Sequence, residues 1–435
     1  MSFKRLTPAS ALVGLVLIAW VIAAAGAHAT DLSADQTTIS LRKAVLNTIA
    51  SNPDLRAFDY QLQAQQGRVQ QAGLAPSPEL SFELEDFLGS GDNKGMDSAQ
   101  ATLSIGWVLE RGVRQRYVNA ARAGGSLVEV EAGLKRFNAA AETAGFYLLS
   151  LAYQAREASA DKTVQLAEQT IKAVGRRVEA GKTPAAELSR AEAELALRKL
   201  QRKALEYKRL SANRQLAAQW GATQPGFNRV EGDIMKLPRL ASFKTLKTRL
   251  SQNPEFARLL SDQLLKKAEL DLVLAQSRPS WRISAGIRHD NSIDDQAFVT
   301  GITIPFGKQS RNPGRITEAR ANLASTASQQ QATRIRIETA LFVSHETLLH
   351  GLHVIAVLRE QVIPPLEQAL TETRRAYDRG RYSYLELRSV ELELLKVQQQ
   401  LVEASIDVHR NVIEIERLTG VGIVQPPAGP ASLNQ

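Results

Sequence analysis

Apolar and polar residues alternate singly over a few short stretches of this chain and recur at helical spacing almost everywhere else. In the first short stretch Leu80, Phe82 and Leu84 fall on one side, with Glu79, Ser81, Glu83 and Glu85 on the other. That is the period of a strand. A second arm repeats it, with Ala101, Leu103, Ile105 and Trp107 against Thr102, Ser104 and Gly106, and the connection 89–95 is Gly-, Ser- and Asn-rich turn chemistry. A second such pair follows. Trp281, Ile283, Ala285 and Ile287 alternate with Arg282, Ser284, Gly286 and Arg288; after a polar loop over 289–296, Phe298, Ile302, Ile304 and Phe306 share one face and Gly301 and Thr303 the other. The pattern predicts strands at about 78–86, 99–109, 280–289 and 298–306. A lone ribbon with one wholly apolar face is not stable in water.

The remainder predicts long helices. Leu41, Val45, Ile49, Leu55, Phe58 and Leu62 mark one over 38–74 that breaks or restarts at Asn52-Pro53. Residues 115–177 contain hardly a helix breaker and end in Gly181-Lys182-Thr183-Pro184, a glycine stop followed by a proline start, so a second helix returns over 185–220. At ~1.5 Å per residue the first of these runs for roughly 90 Å, which demands neighbours along its whole length.

The pattern then restarts. Asn52-Pro53 returns as Asn253-Pro254 and Pro78 as Pro279; Arg122-Ala123 returns as Arg320-Ala321; Gly181, Glu187, Leu188 and Gly221 return at one common offset as Gly380, Glu386, Leu387 and Gly420. The register predicts an internal duplication, longer than any solenoid period, of a helix-strand-strand-helix-helix unit. It divides the chain into a first repeat over 30–221, a loop over 222–238, a second repeat over 239–420, and a Pro- and Gly-containing flexible tail over 421–435. Pro364-Pro365 falls inside the second repeat's long helix and predicts a kink or a short break near 362–365.

Residues 1–29 carry Lys4 and Arg5, an apolar run and Ala27-His28-Ala29, and so predict a cleaved secretory signal peptide. Its removal takes two positive charges and no negative one, lowering the net charge from +9 to +7. No later stretch reads as apolar for long enough to cross a bilayer as a helix, so an exported chain that enters a membrane does so as strands of a closed barrel. Four strands cannot close one, since the smallest single-chain membrane barrels have eight. Three copies in cyclic symmetry pool twelve, and twelve long helices with them. The polar faces, with Glu79, Glu83, Glu85, Arg282 and Arg288, then line the lumen.

The fold class read here is mainly α with a small β part. Basic residues are interleaved with acidic ones at helical spacing rather than massed, which argues against nucleic acid as a partner. The absence of cysteine excludes disulfides, thiolate metal sites and N-terminal cysteine lipidation. His350 and His353 have a spacing compatible with sharing a metal, but with no cysteine and three methionines these and His345 read as helix-surface residues. The glycines at 89–95 and Gly420-Val421-Gly422 lack the context of a nucleotide site. No nucleophile and base stand at catalytic spacing, and the chain reads as neither an enzyme nor a cofactor or metal carrier.

On Asn52-Pro53-Asp54-Leu55, on 71–74 running into 78–87, and on 362–364 continuing through Ala376-Tyr377-Asp378-Arg379-Gly380 to Glu386-Leu387, the chain resembles the TolC-like outer membrane factors of tripartite efflux systems. The first hairpin most resembles their CzcC-like heavy-metal branch. The resemblance implies a homotrimer with a twelve-stranded β-barrel in the outer-membrane lipid of a Gram-negative cell and an α-helical barrel in the periplasm. It also implies a periplasmic adaptor and an inner-membrane RND pump as partners. The reversals at Gly181, Lys182 and Thr183 and at Gly380, Arg381 and Tyr382 would be the tips that dock the adaptor. Glu386 stands where the family has its first aperture acid; its second would fall at Ser389, leaving a thinner ring. Three carboxylates converging on an axis repel one another and raise local cation concentration. The alternatives are a non-channel structural or adhesive helical envelope protein, or a channel of the same fold exporting drugs or proteins.

Overall fold

The computed structural model describes residues 38–110, 112–239, 241–305 and 312–420. The signal-peptide reading, the tail over 421–435 and Phe306 lie outside the described residues.

Each repeat opens with helices, enters a hairpin and leaves on long helices. The first comprises β1 (Thr38–Ile39), α1 (Leu41–Ser51), α2 (Pro53–Gly73), β2 (Glu79–Glu85), β3 (Gln100–Leu109), α3 (Val113–Glu179) and α4 (Ala185–Ala218). Then come β4 (Arg229–Val230), α5 (Phe243–Arg249), α6 (Pro254–Gln276), β5 (Trp281–Asp290), β6 (Asp295–Thr303), α7 (Pro313–Val357), α8 (Ile363–Asp378) and α9 (Tyr384–Thr419).

With 67 residues, α3 spans about 100 Å and is the spine. It packs against α2 and α6 near the strands and against α4 and α9 further down. Its counterpart, Pro313–Asp378, is 66 residues long and passes through a π-helical turn at Leu358–Val362 between α7 and α8. There the Ile363 N–H reaches back to Leu358 O. The expected irregularity is a break in the α-helical bonding: Pro364 and Pro365 cannot donate, and the wider turn relocates the broken bonds.

The duplication is explicit at both helix starts. Asn52 caps α2 by accepting from Asp54 N and Leu55 N at 2.8 and 3.2 Å, while its amide donates to Gln219 O at the far end of α4 at 2.7 Å. Asn253 accepts from Glu255 N and donates to Leu418 O near the end of α9, both at 2.8 Å. One side chain thus satisfies orphan groups at two helix ends.

Apolar cores are strung along the helices. One gathers Leu341, Leu348 and Ile355 of α7 with Val408, Ile415 and Leu418 of α9; another joins Val174, Ala191, Tyr377, Tyr384 and Leu387 where the helices reverse.

Three expectations need correction. The loop over 222–238 is built rather than plain: β4 pairs in parallel with β1, where a helix start was expected, and Gln154 brackets Val230 through N–H and C=O contacts of 2.6 and 3.0 Å. Tyr147 Oη lies 3.1 Å from Ile39 O and 2.5 Å from Glu231 O. The second hairpin is tighter than a loop over 289–296 allows, for His289 pairs with Gln296 and Asp290 with Asp295, and β6 runs from Asp295 to Thr303. Asp290 accepts from Ser292 N and Oγ at 3.0 and 2.6 Å, closing a short turn, so polar strand ends had been read as loop. Finally, one stretch within Pro313–Asp378 is long and apolar enough to cross a bilayer, and only 22% of it is buried. Part of its surplus is Phe342, Val343 and Leu349, exposed on α7.

Candidate channel-forming surfaces

Strands β2, β3, β5 and β6 form one antiparallel sheet in that order, leaving β2 and β6 as open edges. The register aligns most apolar residues: Leu80 faces Ile105, which faces Ala285, then Thr300; Phe82 faces Leu103, then Ile287, then Phe298. One sheet face is therefore mostly apolar, broken by His289, Gln296 and Thr300, and it is bare, with Leu80 and Phe298 each 73% exposed. A patch of this kind in a folded chain marks a surface made for an apolar environment.

The opposite face carries the five residues expected to line a lumen. Arg282 pairs with Glu79 across β3. Arg288 lies 3.5 Å from Glu85 and donates from Nε to Thr102 Oγ1 at 3.1 Å, and Gln100 donates to Asp290 at 3.0 Å. Glu83 lies on the same face, in line with Thr102 and Arg288. This face is also the tighter one. A Cβ at Gly286 would stand 2.4 Å from Leu103 O and 2.6 Å from Ser104 Cβ, and one at Gly301 would stand 2.7 Å from Ser284 Oγ.

At the other end of the chain two reversals share one geometry. Gly181 and Gly380 adopt φ of +67° and +77°, open to glycine without strain. Lys182 N bonds Arg177 O and Gly181 N bonds Val178 O; Arg381 N bonds Ala376 O and Gly380 N bonds Tyr377 O, all at 2.8–2.9 Å. Each is a Schellman stop. Thr183 Oγ1 donates to Glu187 at 2.5 Å, starting α4. Lys182, Arg381 and Tyr382 are exposed.

Glu386 sits at the start of α9, exposed, and its carboxylate accepts from Ser383 N at 2.7 Å and Oγ at 2.8 Å while Ser383 Oγ accepts from Glu386 N. This is a capping box. The two bonds, that from the backbone first, hold the carboxyl below its usual range. Ser389 is exposed one turn on.

Between the two hairpins run ties that sequence pattern did not reveal. Arg177 donates to Tyr377 O and lies 4.5 Å over its ring; Glu391, almost fully buried, accepts from Thr170 at 2.8 Å and Arg374 at 3.1 Å; Arg388 pairs with Glu194. Only the capping box was legible, as Ser383-x-x-Glu386. His345 is buried beside Phe243 rather than on the surface, and no cluster of three metal-ligating acids or histidines exists among the described residues.

Known proteins bear directly on this arrangement. The sequence pattern of the family described as "Outer membrane efflux protein" matches residues 44–222. Over that stretch the chain is similar to the outer membrane efflux proteins. It is 24% identical to the cobalt-zinc-cadmium resistance protein CzcC of Cupriavidus metallidurans over 382 residues, 88% of this chain and 90% of that one. Its fold matches crystal structures of CusC (TM-score 0.72, 16% identity, 88% and 93% of the two chains) and of the outer membrane protein VceC of Vibrio cholerae (0.68, 18%, 87% and 96%). The shared fold thus extends well beyond the stretch matched by the family pattern.

Proposed function

We propose that this chain is the outer-membrane subunit of a tripartite efflux channel, in which three copies pool their sheets into a twelve-stranded barrel continued by a ring of helices into the periplasm. The carrying observation is the sheet: four strands in register, one face mostly apolar and bare, the other mostly polar, and both edges unpaired. Pairing β6 of one copy with β2 of the next satisfies both edges and places the apolar face against lipid. The helices repeat the situation. Packing runs α2–α3–α6–α7 near the sheet and α4–α3–α9–α8 below. The outermost elements expose apolar side chains, Leu197, Leu200 and Tyr207 on α4 and Ile335, Phe342 and Val343 on α7.

The duct is passive, taking substrate from an adaptor docked on the tips at Gly181–Thr183 and Gly380–Tyr382 and from an inner-membrane RND pump. Divalent metal cations are its cargo, supported by the similarity to a cobalt-zinc-cadmium resistance protein. Glu386 supports it too, as an exposed carboxylate at the start of α9. The test is conductance in a planar bilayer: discrete cation-preferring steps are expected, with the preference weakened by Glu386→Ala. An unchanged preference removes Glu386 from the aperture, and a protein that never conducts removes the channel.

A further inference from the structure

The apolar band of the sheet has two rims of opposite charge. At the hairpin rim the exposed charges include Asp86, Asp97, Asp294 and Asp295, with Lys94 as a basic counterpart. At the rim where strands meet helices stand the exposed Arg114, Arg116, Arg278 and Arg315, with Glu110 half-buried among them. Arg116 is held by Asp271 at 3.2 Å, whereas no ion pair within the chain engages Arg114, Arg278 or Arg315 among the described residues. Trp107 and Trp281 mark the same rim on the apolar face, Trp281 opposite Leu109 and Trp107 opposite Ile283. Aromatic residues at this position belong to the boundary between hydrocarbon and headgroups.

Arg114 and Arg315 do not serve the helices they begin, while Arg278 follows the end of α6. A cation in a first turn opposes the helix dipole. The other long helices start with an acid, Asp54 in α2, Glu187 in α4, Glu255 in α6 and Glu386 in α9. Among the described residues α3 and α7, the two that start beside the sheet, lack both a first-turn acid and a side-chain cap, as does α8, which continues α7 through the π-helical turn. Their positive charge is left for something outside the chain, continuous with the lipid-facing band.

Resting on the barrel reading above, we propose that this rim is a docking collar for anionic phospholipid headgroups of the periplasm-side leaflet, whose phosphates meet Arg114, Arg278 and Arg315 while the acyl chains cover the sheet. Each subunit supplies three guanidinium groups with no ion-pair partner among the described residues, well suited to phosphate oxygens, and the acidic hairpin rim repels the same lipids. The collar thereby fixes which end of the barrel faces the periplasm.

The experiment reconstitutes the mature full chain into bilayers of equal phosphatidylcholine and phosphatidylglycerol and counts the lipids retained on the released oligomer by native mass spectrometry. Wild type is expected to retain phosphatidylglycerol roughly fivefold over phosphatidylcholine, falling as salt is raised. Replacement by R114Q, R278Q and R315Q together is expected to bring the ratio near one, with oligomer mass and conductance unchanged. The collar is overturned by a wild type without preference, by a triple variant that keeps it, or by a triple variant that no longer assembles, which would assign the arginines to subunit contacts. A wild-type chain that stays monomeric and outside both lipids instead overturns the barrel reading, before any lipid is counted.

Discussion

Asn253 donates from its side-chain amide to the carbonyl oxygen of Leu418, 2.8 Å away and 165 positions further along the chain. The bond joins the start of α6 to the end of α9, as Asn52 joins α2 to α4 in the first repeat. Asn253→Ala removes the cap and leaves a buried carbonyl unpaired. A loss of about 1–3 kcal/mol is expected. Asn253→Asp keeps the cap acceptor but not the donor and falls between. Thermal unfolding followed by circular dichroism measures both; equal stability of all three proteins would show the clamp to be idle.

Gly286 is the position where the sheet's polar face closes most tightly. Gly286→Val sets a branched side chain against Leu103 O and Ser104, and overpacking of this kind costs about 1–3 kcal/mol. The expected outcome is loss of the assembled, heat-modifiable oligomer on a gel, with helical content of the subunit retained. Ser284→Ala, on the same face, is expected to assemble normally.

Arg282 and Arg288 neutralise Glu79 and Glu85 on the face assigned to the lumen. Arg288→Gln unpairs Glu85 in each subunit and makes the lumen more negative. Reversal potentials across a salt gradient are expected to shift toward greater cation preference, by an amount that shrinks as salt rises. Glu85→Gln is expected to shift them the other way. A pair facing lipid or solvent outside the pore would leave both unchanged.

The capping box makes the start of α9 pH-sensitive. Glu386 has a folded pKa lowered from an ordinary 4.5 by bonds to Ser383, so its contribution is present above that value and is lost as pH falls through the lowered one. Hydrogen exchange at the first-turn amides of α9 is expected to stay slow through neutral pH and to accelerate, corrected for intrinsic rates, only in acid. Glu386→Gln is expected to flatten the profile.

Much of this architecture is legible in the sequence for physical reasons. Long helices read clearly because breakers concentrate at Gly181 and Pro184 or Gly380, and because Pro364 and Pro365 have only one consequence inside a helix. The strands read clearly where one face is uniformly apolar. They failed at Asp290 and Asp295, since strand ends beyond the apolar band are indistinguishable from loop by composition. Two-residue strands such as Thr38–Ile39 have no pattern to detect. The partners of Arg282, Arg177 and Glu391 come from hairpins set side by side by tertiary packing, which no local period encodes. Ser383 with Glu386 was the exception, a local signature of helix capping that the aperture reading had overshadowed.

The account turns on whether separate copies of the sheet complete one another. The direct measurement is the mass of the purified, signal-cleaved protein in detergent by native mass spectrometry. A closed assembly of three copies that dissociates on heating is the expected result. A single copy, stable and soluble without detergent, would contradict it.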